Sequence, residues 1–565
     1  MKLSLIQMSP ATGDLEGNAE KIISEIKNAK KQGADLVIFP EMALTGYCIS
    51  DLIENDYFVE KNEEFLDEIA KETNGISAIV GFIDYERGKV NEDGRVRKYN
   101  AAALLSEGKI LGIAHKTLLP SYRYFDDKRY FTEGKERKVF RVKGMDIGIS
   151  ICEDMWDKDY DIKPIKELAE KGAEIIVNIN ASPYYYGKFN EREETIKRHI
   201  KETGLPFIYV NAVGASDNGK NIITFDGESL VYDKLGNLIA LGNQFKEESI
   251  IVNLNNARTI ERINSREEKE IYEGLIMSLR DYSNQVGFTK AIVPVSGGVD
   301  SALGIAIAVE AFGKENVTAF NLPSRFNTEI TKGIAAELCR NLGVEYKIIP
   351  IQEIDNTIRE VFSENVHEIK NKIAKENIQA RVRGILMMLE SNDTGTLLIS
   401  NGNKTEIALG YSTLYGDMCG GISVIGDLSK TDVYKVSKYV NERYGKEIIP
   451  REVFEIKPSA ELSEGQFDPF DYEVVSPLVD LMVEERESPK EIIDKFKNKK
   501  LGVGFTDKVY MKYSLESFEG LVFDTYKLLR KSVYKRLQGP PIITVTKRAF
   551  GFDLRETMIN KWEGR

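Results

Sequence analysis

The sequence predicts an α/β protein built as two successive layered domains joined by a short polar linker. Three observations point there. The chain has 565 residues, more than one ordinary hydrophobic core accommodates, so two or three domains are the starting expectation. Short apolar runs of strand length alternate with helix-patterned segments in both halves. Between the halves lies NLNNARTIERINSREEKEIYEG (253–274), polar and dense in charge. The expected division is one domain over 1–255, a linker at 256–268 and a second domain over 269–565.

In the first half, LSLIQM, DLVIFP, SAIVGF, AAALL, DIGISIC, EIIVNIN and PFIYVNA read as buried strands. Residues 18–32 place Ala19, Ile22, Ile23 and Ile26 on one helical face. PIKELAEKG (164–172) opens on proline and closes on glycine, a helix signature. ESLVYDKLGNLIAL alternates apolar residues around a Gly-Asn turn, as a hairpin does. In the second half, AIVPVSGGVDSALGIAIAVEAFG starts a strand–loop–helix unit. VTAFNLP, ITKGIAAELCRNLG and EYKIIPI continue it in βαβ rhythm, which predicts a doubly wound parallel sheet. No internal repeat is visible.

Composition excludes several classes. Apolar residues make up 42% and charged residues 29%, the profile of a soluble globular protein. A net charge of −12 argues against nucleic acid as a partner, because phosphate binding needs concentrated basic surface. No stretch approaches the ~20 apolar residues that span a bilayer, and MKLSLIQMSPATGD shows no signal-peptide pattern. Cys48, Cys152, Cys339 and Cys419 lack metal-ligand spacing and read as free thiols of a cytoplasmic protein.

The most specific string is VPVSGGVDSAL (293–303). Val293 to Val295 end a strand, Ser296, Gly297, Gly298 and Val299 form a tight turn, and helix follows from Ser301. Glycines admit an anion close to the backbone, and a helix N-terminus offers it unpaired N–H groups. No lysine follows the glycines, so this is not a G-x-x-x-x-G-K-[ST] loop. The string resembles the PP-loop of enzymes that split ATP into AMP and pyrophosphate (the adenine nucleotide alpha hydrolase-like fold). By that resemblance residues 296–301 bind ATP, and Asp300 holds Mg²⁺ across its phosphates.

NIQARVRGILMM (377–388), ISNGNKTEIALGY (399–411), GDLSKTDVY (426–434) and TKRAFG (546–551) resemble segments of NAD synthetases. The resemblance implies that Asn377, Arg381, Glu406 and Lys547 contact deamido-NAD or its metal, with Glu406 a second metal ligand. It also implies that Lys430 and Asn401 reach ATP, and LPSRF (322–326) resembles a second nucleotide loop. Asn401, Leu414 and Gly421 depart from the ammonia-dependent branch, which has threonine, lysine and aspartate there. Taken singly, Arg381 and Arg383 also fit an exposed helix face, and Glu406 with Lys430 a solvated pair.

In the first half three strand-end segments offer Glu41 (VIFPEMALTGY), Lys116 (HKTLLPSYRYFDDKRYF) and Cys152 (ISICEDMW). A cysteine attacks an amide carbon once a base has taken its proton, a glutamate supplies that base, and a charged lysine stabilises the oxyanion. No histidine has motif context for a Cys–His pair. FPE…K-x-x-L-P…C-E-D resembles the nitrilase superfamily, whose fold is a four-layer αββα sandwich. The flanking residues resemble the glutaminase domain of glutamine-dependent NAD synthetases. That implies glutamine contacts from Tyr122, Phe125, Ser182 and Lys188, with Tyr47 on the pocket wall.

Together these resemblances imply an enzyme that takes ammonia from glutamine and uses ATP to amidate deamido-NAD. They also imply a homo-oligomer and a tunnel for ammonia. Two rivals are another PP-loop amidotransferase, such as one making GMP or asparagine, and a nucleotide-binding regulator with an inactive amidase half. NIQAR and NGNKTE count against the first, and the complete Glu41, Lys116, Cys152 and Asp300 set against the second.

Overall fold

The computed structural model describes residues 1–90 and 94–562. The chain divides into two compact units, one of residues 1–218 and 223–265, the other of residues 219–222 and 266–565.

The first unit holds two six-stranded sheets. One runs in the order Glu248–Asn253, Lys2–Gln7, Leu36–Ile38, Ser77–Val90, Val96–Ser106, Lys109–His115. The other runs Leu238–Leu241, Leu230–Tyr232, Phe207–Asn211, Ile175–Asn180, Met145–Ile151, Val139–Val142. Strand period explains why the sheets stack. Leu3, Leu5, Leu36, Ile38 and Ile79 of the first sheet share one buried cluster with Ile147, Ile149, Val177 and Val210 of the second. Their neighbours Ile6, Val37, Phe39, Ala78 and Val80 point the other way, onto Ile22 and Ile26 of helix Leu15–Lys31 and Leu66 of helix Asp56–Lys71. Helices Pro164–Glu170 and Lys188–Thr203 cover the outer side of the second sheet through Leu168, Ile196 and Ile200. The result is the four-layer αββα sandwich. The expected hairpin is present, with Leu230–Tyr232 antiparallel to Leu238–Leu241.

The second unit carries six parallel strands in the order Ile542–Thr544, Ile422–Ser423, Leu397–Ser400, Ala291–Pro294, Val317–Asn321, Glu345–Ile348. Numbered along the chain this is 6-5-4-1-2-3, a doubly wound sheet. Its switch point lies between Ala291–Pro294 and Leu397–Ser400, where such sheets bind ligands. Helix Lys372–Thr394 packs on this sheet through Val382 and Met387 against Ile292, Phe320 and Leu398. A separate helical cluster follows, with Val475, Leu478, Ile492, Phe496, Phe518 and Val522 at its centre. Helix Glu267–Val286 opens inside the interval expected as linker. Glu267, Glu268 and Glu270 in its first turn complement the helix dipole, so charge density there marks a helix start.

Gly81 is a close-approach glycine. A Cβ there would lie 2.3 Å from the Pro40 carbonyl oxygen and 2.4 Å from the Met42 amide nitrogen. The strand therefore touches the turn that carries Glu41 backbone to backbone, and the Leu44 amide donates to the Gly81 carbonyl at 3.1 Å. Gly81→Ala is expected to destabilise the fold by about 1–3 kcal/mol, the usual range for overpacking, read as a lower unfolding midpoint in calorimetry.

Candidate active sites

Glu41, Lys116 and Cys152 converge at the ends of three strands of the first unit. Glu41 is fully buried and every contact holds it as an acceptor. Lys116 Nζ donates to Oε1 at 2.8 Å, Asn100 Nδ2 to the same oxygen at 2.7 Å, and the Ala181 amide to Oε2 at 2.8 Å. Lys116 also donates to Asp127 Oδ2 at 2.7 Å, and Tyr47 donates its hydroxyl to Asp127 Oδ1 at 2.9 Å. Burial disfavours the Lys116 ammonium, but Asp127 and Glu41 overcome that and hold its pKa well above the usual lysine range. Burial pushes the Asp127 carboxyl up, against the pull of Lys116.

Cys152 follows strand Met145–Ile151 at a left-handed φ of 43° and starts the turn Cys152–Met155. Burial and then the Glu41 charge push its thiol well up, with Lys116 acting in the opposite sense. The resting group is a neutral thiol beside a carboxylate, which suits removal of its proton by Glu41 at the moment of attack.

The spacing reading passed over three acids here. Asp154 ties the lysine loop to the cysteine turn: Oδ1 accepts from the amides of Thr117 (2.9 Å) and Leu118 (2.8 Å), and Oδ2 from that of Ile151 (3.0 Å). Glu153 accepts from the hydroxyls of Tyr122 at 2.9 Å and Tyr160 at 3.0 Å, and burial pushes its carboxyl up to about 7. Asp127 is the third. Its only sequence signal is its place in FDDKRYF, where the aromatics drew the reading.

Of the four expected glutamine-binding residues, Tyr122 bonds Glu153 of this turn and Lys188 lies over Trp156, which follows it. Tyr122 touches Phe125 edge-on at 5.5 Å, and Phe125 touches Tyr47 at 6.4 Å. The Ser182 amide donates to Asn211 Oδ1 at 2.8 Å, and Asn211 donates to Asp226, which is paired with the buried Arg192. Lys188 Nζ sits 3.8 Å over the Trp156 ring, and burial lowers its pKa.

In the second unit the PP-loop follows strand Ala291–Pro294 at the switch point. Gly297 has φ of 90°, and a Cβ there would lie 2.2 Å from the Thr331 carbonyl oxygen, so only glycine closes this turn. Ser301 Oγ accepts from the Ser296 amide at 3.2 Å, and Ser296 Oγ accepts from the Gly298 amide at 3.3 Å. The helix opens at Val299, earlier than expected, with Gly298 as N-cap and no side chain capping it. Its first amides are thus open to an anion.

Beside the loop lies a cavity of about 760 Å³ lined by Ser296, Asp300, Arg383, Asn401, Glu406 and Lys430, among others. Lys430 donates to Asp300 Oδ2 and, at 3.0 Å, to Glu406 Oε1, and Asn403 donates to Asp300 Oδ1 at 2.8 Å. Lys430 is buried and Glu406 half-buried, so the two are not a solvated surface pair. Burial pushes the Glu406 carboxyl up to about 7 despite Lys430. Asn401 donates to the Pro294 carbonyl at 2.9 Å, bracing the strand end.

Asn377, Arg381 and Lys547 do not line this cavity. Asn377 accepts from Thr413 Oγ1 at 2.9 Å, Arg381 donates to the Leu414 carbonyl at 3.2 Å, and Lys547 pairs with Glu485 at 2.9 Å. Arg383, grouped with Arg381 as exposed, turns inward and donates to the Leu322 carbonyl at 2.9 Å. Residues two apart on a helix face opposite ways, so the two arginines cannot share a face.

A carbon-nitrogen hydrolase family model matches residues 2–263, and an NAD synthase family model matches residues 271–513. The chain is 36% identical to a glutamine-dependent NAD(+) synthetase of Thermotoga maritima, covering 100% of this chain and 99% of that protein. The chain belongs to the glutamine-dependent NAD(+) synthetases. An Aquifex aeolicus member is also 36% identical, with 100% of each chain covered. Among solved structures, the Acinetobacter baumannii glutamine-dependent NAD+ synthetase in complex with ADP is 34% identical. It covers 100% of this chain and 99% of that one, with a TM-score of 0.74. A member from Cytophaga hutchinsonii, at 20% identity and a TM-score of 0.82, shares the fold.

A chloroketone that mimics glutamine is expected to alkylate Cys152, found by peptide mapping, and Glu41→Gln to slow that labelling. Cys48 is the competitor in the same unit. Its thiol is pushed far up by burial and then Asp127, and labelling chiefly there would remove Cys152 as nucleophile.

Proposed function

We propose that the chain hydrolyses glutamine at Cys152 and uses the ammonia to convert deamido-NAD to NAD, with ATP giving AMP and pyrophosphate. The full-length likeness to named glutamine-dependent NAD(+) synthetases carries this reading. The buried Glu41–Lys116–Cys152 cluster and the open PP-loop supply the chemistry for its two halves.

Glu41 takes the thiol proton as Cys152 Sγ attacks the carboxamide carbon, and the Lys116 ammonium faces the oxygen on which charge develops. Glu41 returns the proton to the leaving ammonia, and water then opens the thioester to release glutamate. The amino-acid end of the substrate needs counter-charges. Glu153 suits its ammonium and Lys188 its carboxylate, with Ser182, Tyr122 and Phe125 as walls.

In the second unit the 296–301 loop and Lys430 hold the ATP phosphates. The nicotinate carboxylate attacks the α-phosphorus, pyrophosphate leaves, and ammonia displaces AMP from the acyl adenylate. Asp300 and Glu406 fit Mg²⁺, which takes one or two carboxylates together with phosphate oxygens, and Lys430 between them marks where positive charge is needed. Bound there, the ion would neutralise phosphate charge. Among the described residues no group of three or more His, Cys, Asp or Glu side chains gathers that could hold a metal ion by itself.

Asn377, Arg381 and Lys547 lie outside the cavity lining, and their assignment to deamido-NAD rests on the family likeness alone. Ile385 and Leu389, on the helix face of Arg381, are each 63% exposed, an apolar strip that a second copy would cover in the implied homo-oligomer. Among the described residues no helix is long and apolar enough to cross a membrane. The four free thiols suit the cytoplasm.

Supplied with deamido-NAD, ATP, Mg²⁺ and glutamine, the protein is expected to form NAD, AMP and pyrophosphate. Cys152→Ala should abolish synthesis from glutamine and retain synthesis from ammonium, whereas Asp300→Ala should lose both. A Cys152→Ala protein that still uses glutamine overturns the first half of the reading. The pH dependence adds a sign. Glu153 titrates at about 7 and binds an ammonium only when ionised, so kcat/KM for glutamine should rise as pH increases through that value. Glu153→Gln should flatten the rise.

A further inference from the structure

Lys404 is a lysine with no exposed side-chain surface, yet it does not line the nucleotide cavity. Its ammonium donates to Glu484 Oε1 at 2.7 Å and to Thr546 Oγ1 at 2.7 Å, and it is ion-paired with Asp427 Oδ1 at 3.0 Å. Burying such a charge is costly unless it is paired, and here two carboxylates and a hydroxyl surround it.

The three partners sit on three different segments, and Lys404 itself stands on a fourth. Lys404 opens helix Lys404–Leu409, which carries Glu406 two residues on. Asp427 precedes helix Lys430–Tyr444, whose first residue is the Lys430 that bonds Glu406 and Asp300. Thr546 directly precedes Lys547, and Glu484 caps helix Tyr472–Val483. Backbone contacts run along the same joints. The Lys404 amide donates to the Leu428 carbonyl at 2.8 Å, and the Lys430 amide to Thr405 Oγ1 at 3.1 Å. The amides of Val545 and Thr546 each donate to Asp427 Oδ2 at 2.8 Å.

We propose that Lys404 is the positioning residue of the nucleotide site: its ammonium locks the Asp427 loop, Glu484 and Thr546 together and so sets Glu406 against Lys430. This rests on the functional reading above, in which Glu406 and Lys430 serve the ATP phosphates. Lys404 touches no substrate and acts through those two side chains. Their geometry matters most as pyrophosphate leaves, when small displacements of charged groups cost rate more than binding.

The test uses the full chain with ammonium as nitrogen donor, reading pyrophosphate release against ATP concentration. Lys404→Met is expected to lower kcat about a hundredfold, the scale of an ångström-sized misplacement, while the KM for ATP moves little. Lys404→Arg should recover part of the loss. Because Lys404 works through Glu406, adding Glu406→Gln to Lys404→Met should cost little more than the larger single loss. Thr546→Val, which leaves the ammonium paired with both carboxylates, should give a smaller loss with the same non-additive pattern, and keeps the test open if Lys404→Met does not fold. A Lys404→Met or Thr546→Val protein with unchanged kcat, or losses that multiply with Glu406→Gln, would overturn the proposal. Wild-type protein that releases no pyrophosphate would instead overturn the functional reading, and the proposal with it.

Discussion

A buried ammonium held between two carboxylates is the interaction on which both units depend. It occurs as Lys116 between Glu41 and Asp127, as Lys430 between Asp300 and Glu406, and as Lys404 between Asp427 and Glu484. Each lysine has an ion-pair partner on both sides, which offsets the desolvation that burial of the ammonium costs. Each trio sets two carboxyl groups against one ammonium, and burial pushes the Asp127 carboxyl up and that of Glu406 up to about 7.

The same arrangement meets different neighbours in the two units. Beside Lys116 the neighbour is the Cys152 thiol, whose proton Glu41 takes in the proposed mechanism. Beside Lys430 lie a cavity of about 760 Å³ and the uncapped start of helix Val299–Phe312. Cys152 needs no imidazole under this scheme. His199, the buried histidine of that unit, is bonded to the Met155 carbonyl and belongs to the packing behind the turn.

Much of this was legible in the sequence where chemistry and period act locally. Strand alternation separates Val37 from Ile38, and the two do face different layers. Ser-Gly-Gly-x-Asp-Ser after an apolar strand can hardly be anything but a turn that opens a helix. Legibility fails where a role depends on distant partners. Asp427, Glu484 and Thr546 are remote from Lys404 in sequence, and nothing near it announces that they meet. Asp127 was hidden by the aromatics around it, and Glu153 and Asp154 by the cysteine they follow. The helical cluster centred on Leu478, Phe496 and Phe518 left no motif, since amphipathic helices packing on one another need only their apolar stripes. The arginine pair is different. The helical period already forbids Arg381 and Arg383 from sharing a face, and only their common residue type suggested otherwise.

Helix Lys372–Thr394 therefore serves as a partition wall read from both sides, with Gln379 and Arg383 turned inward and Arg381, Ile385 and Leu389 turned out. A wall of this kind tolerates changes of residue more readily than changes of length. Each residue inserted or deleted between Asn377 and Leu389 rotates everything beyond it by about 100°. That would bring an outward side chain into the cavity and carry an inward one out of it. Evolution can retune either surface one side chain at a time, but the number of residues between them is effectively frozen.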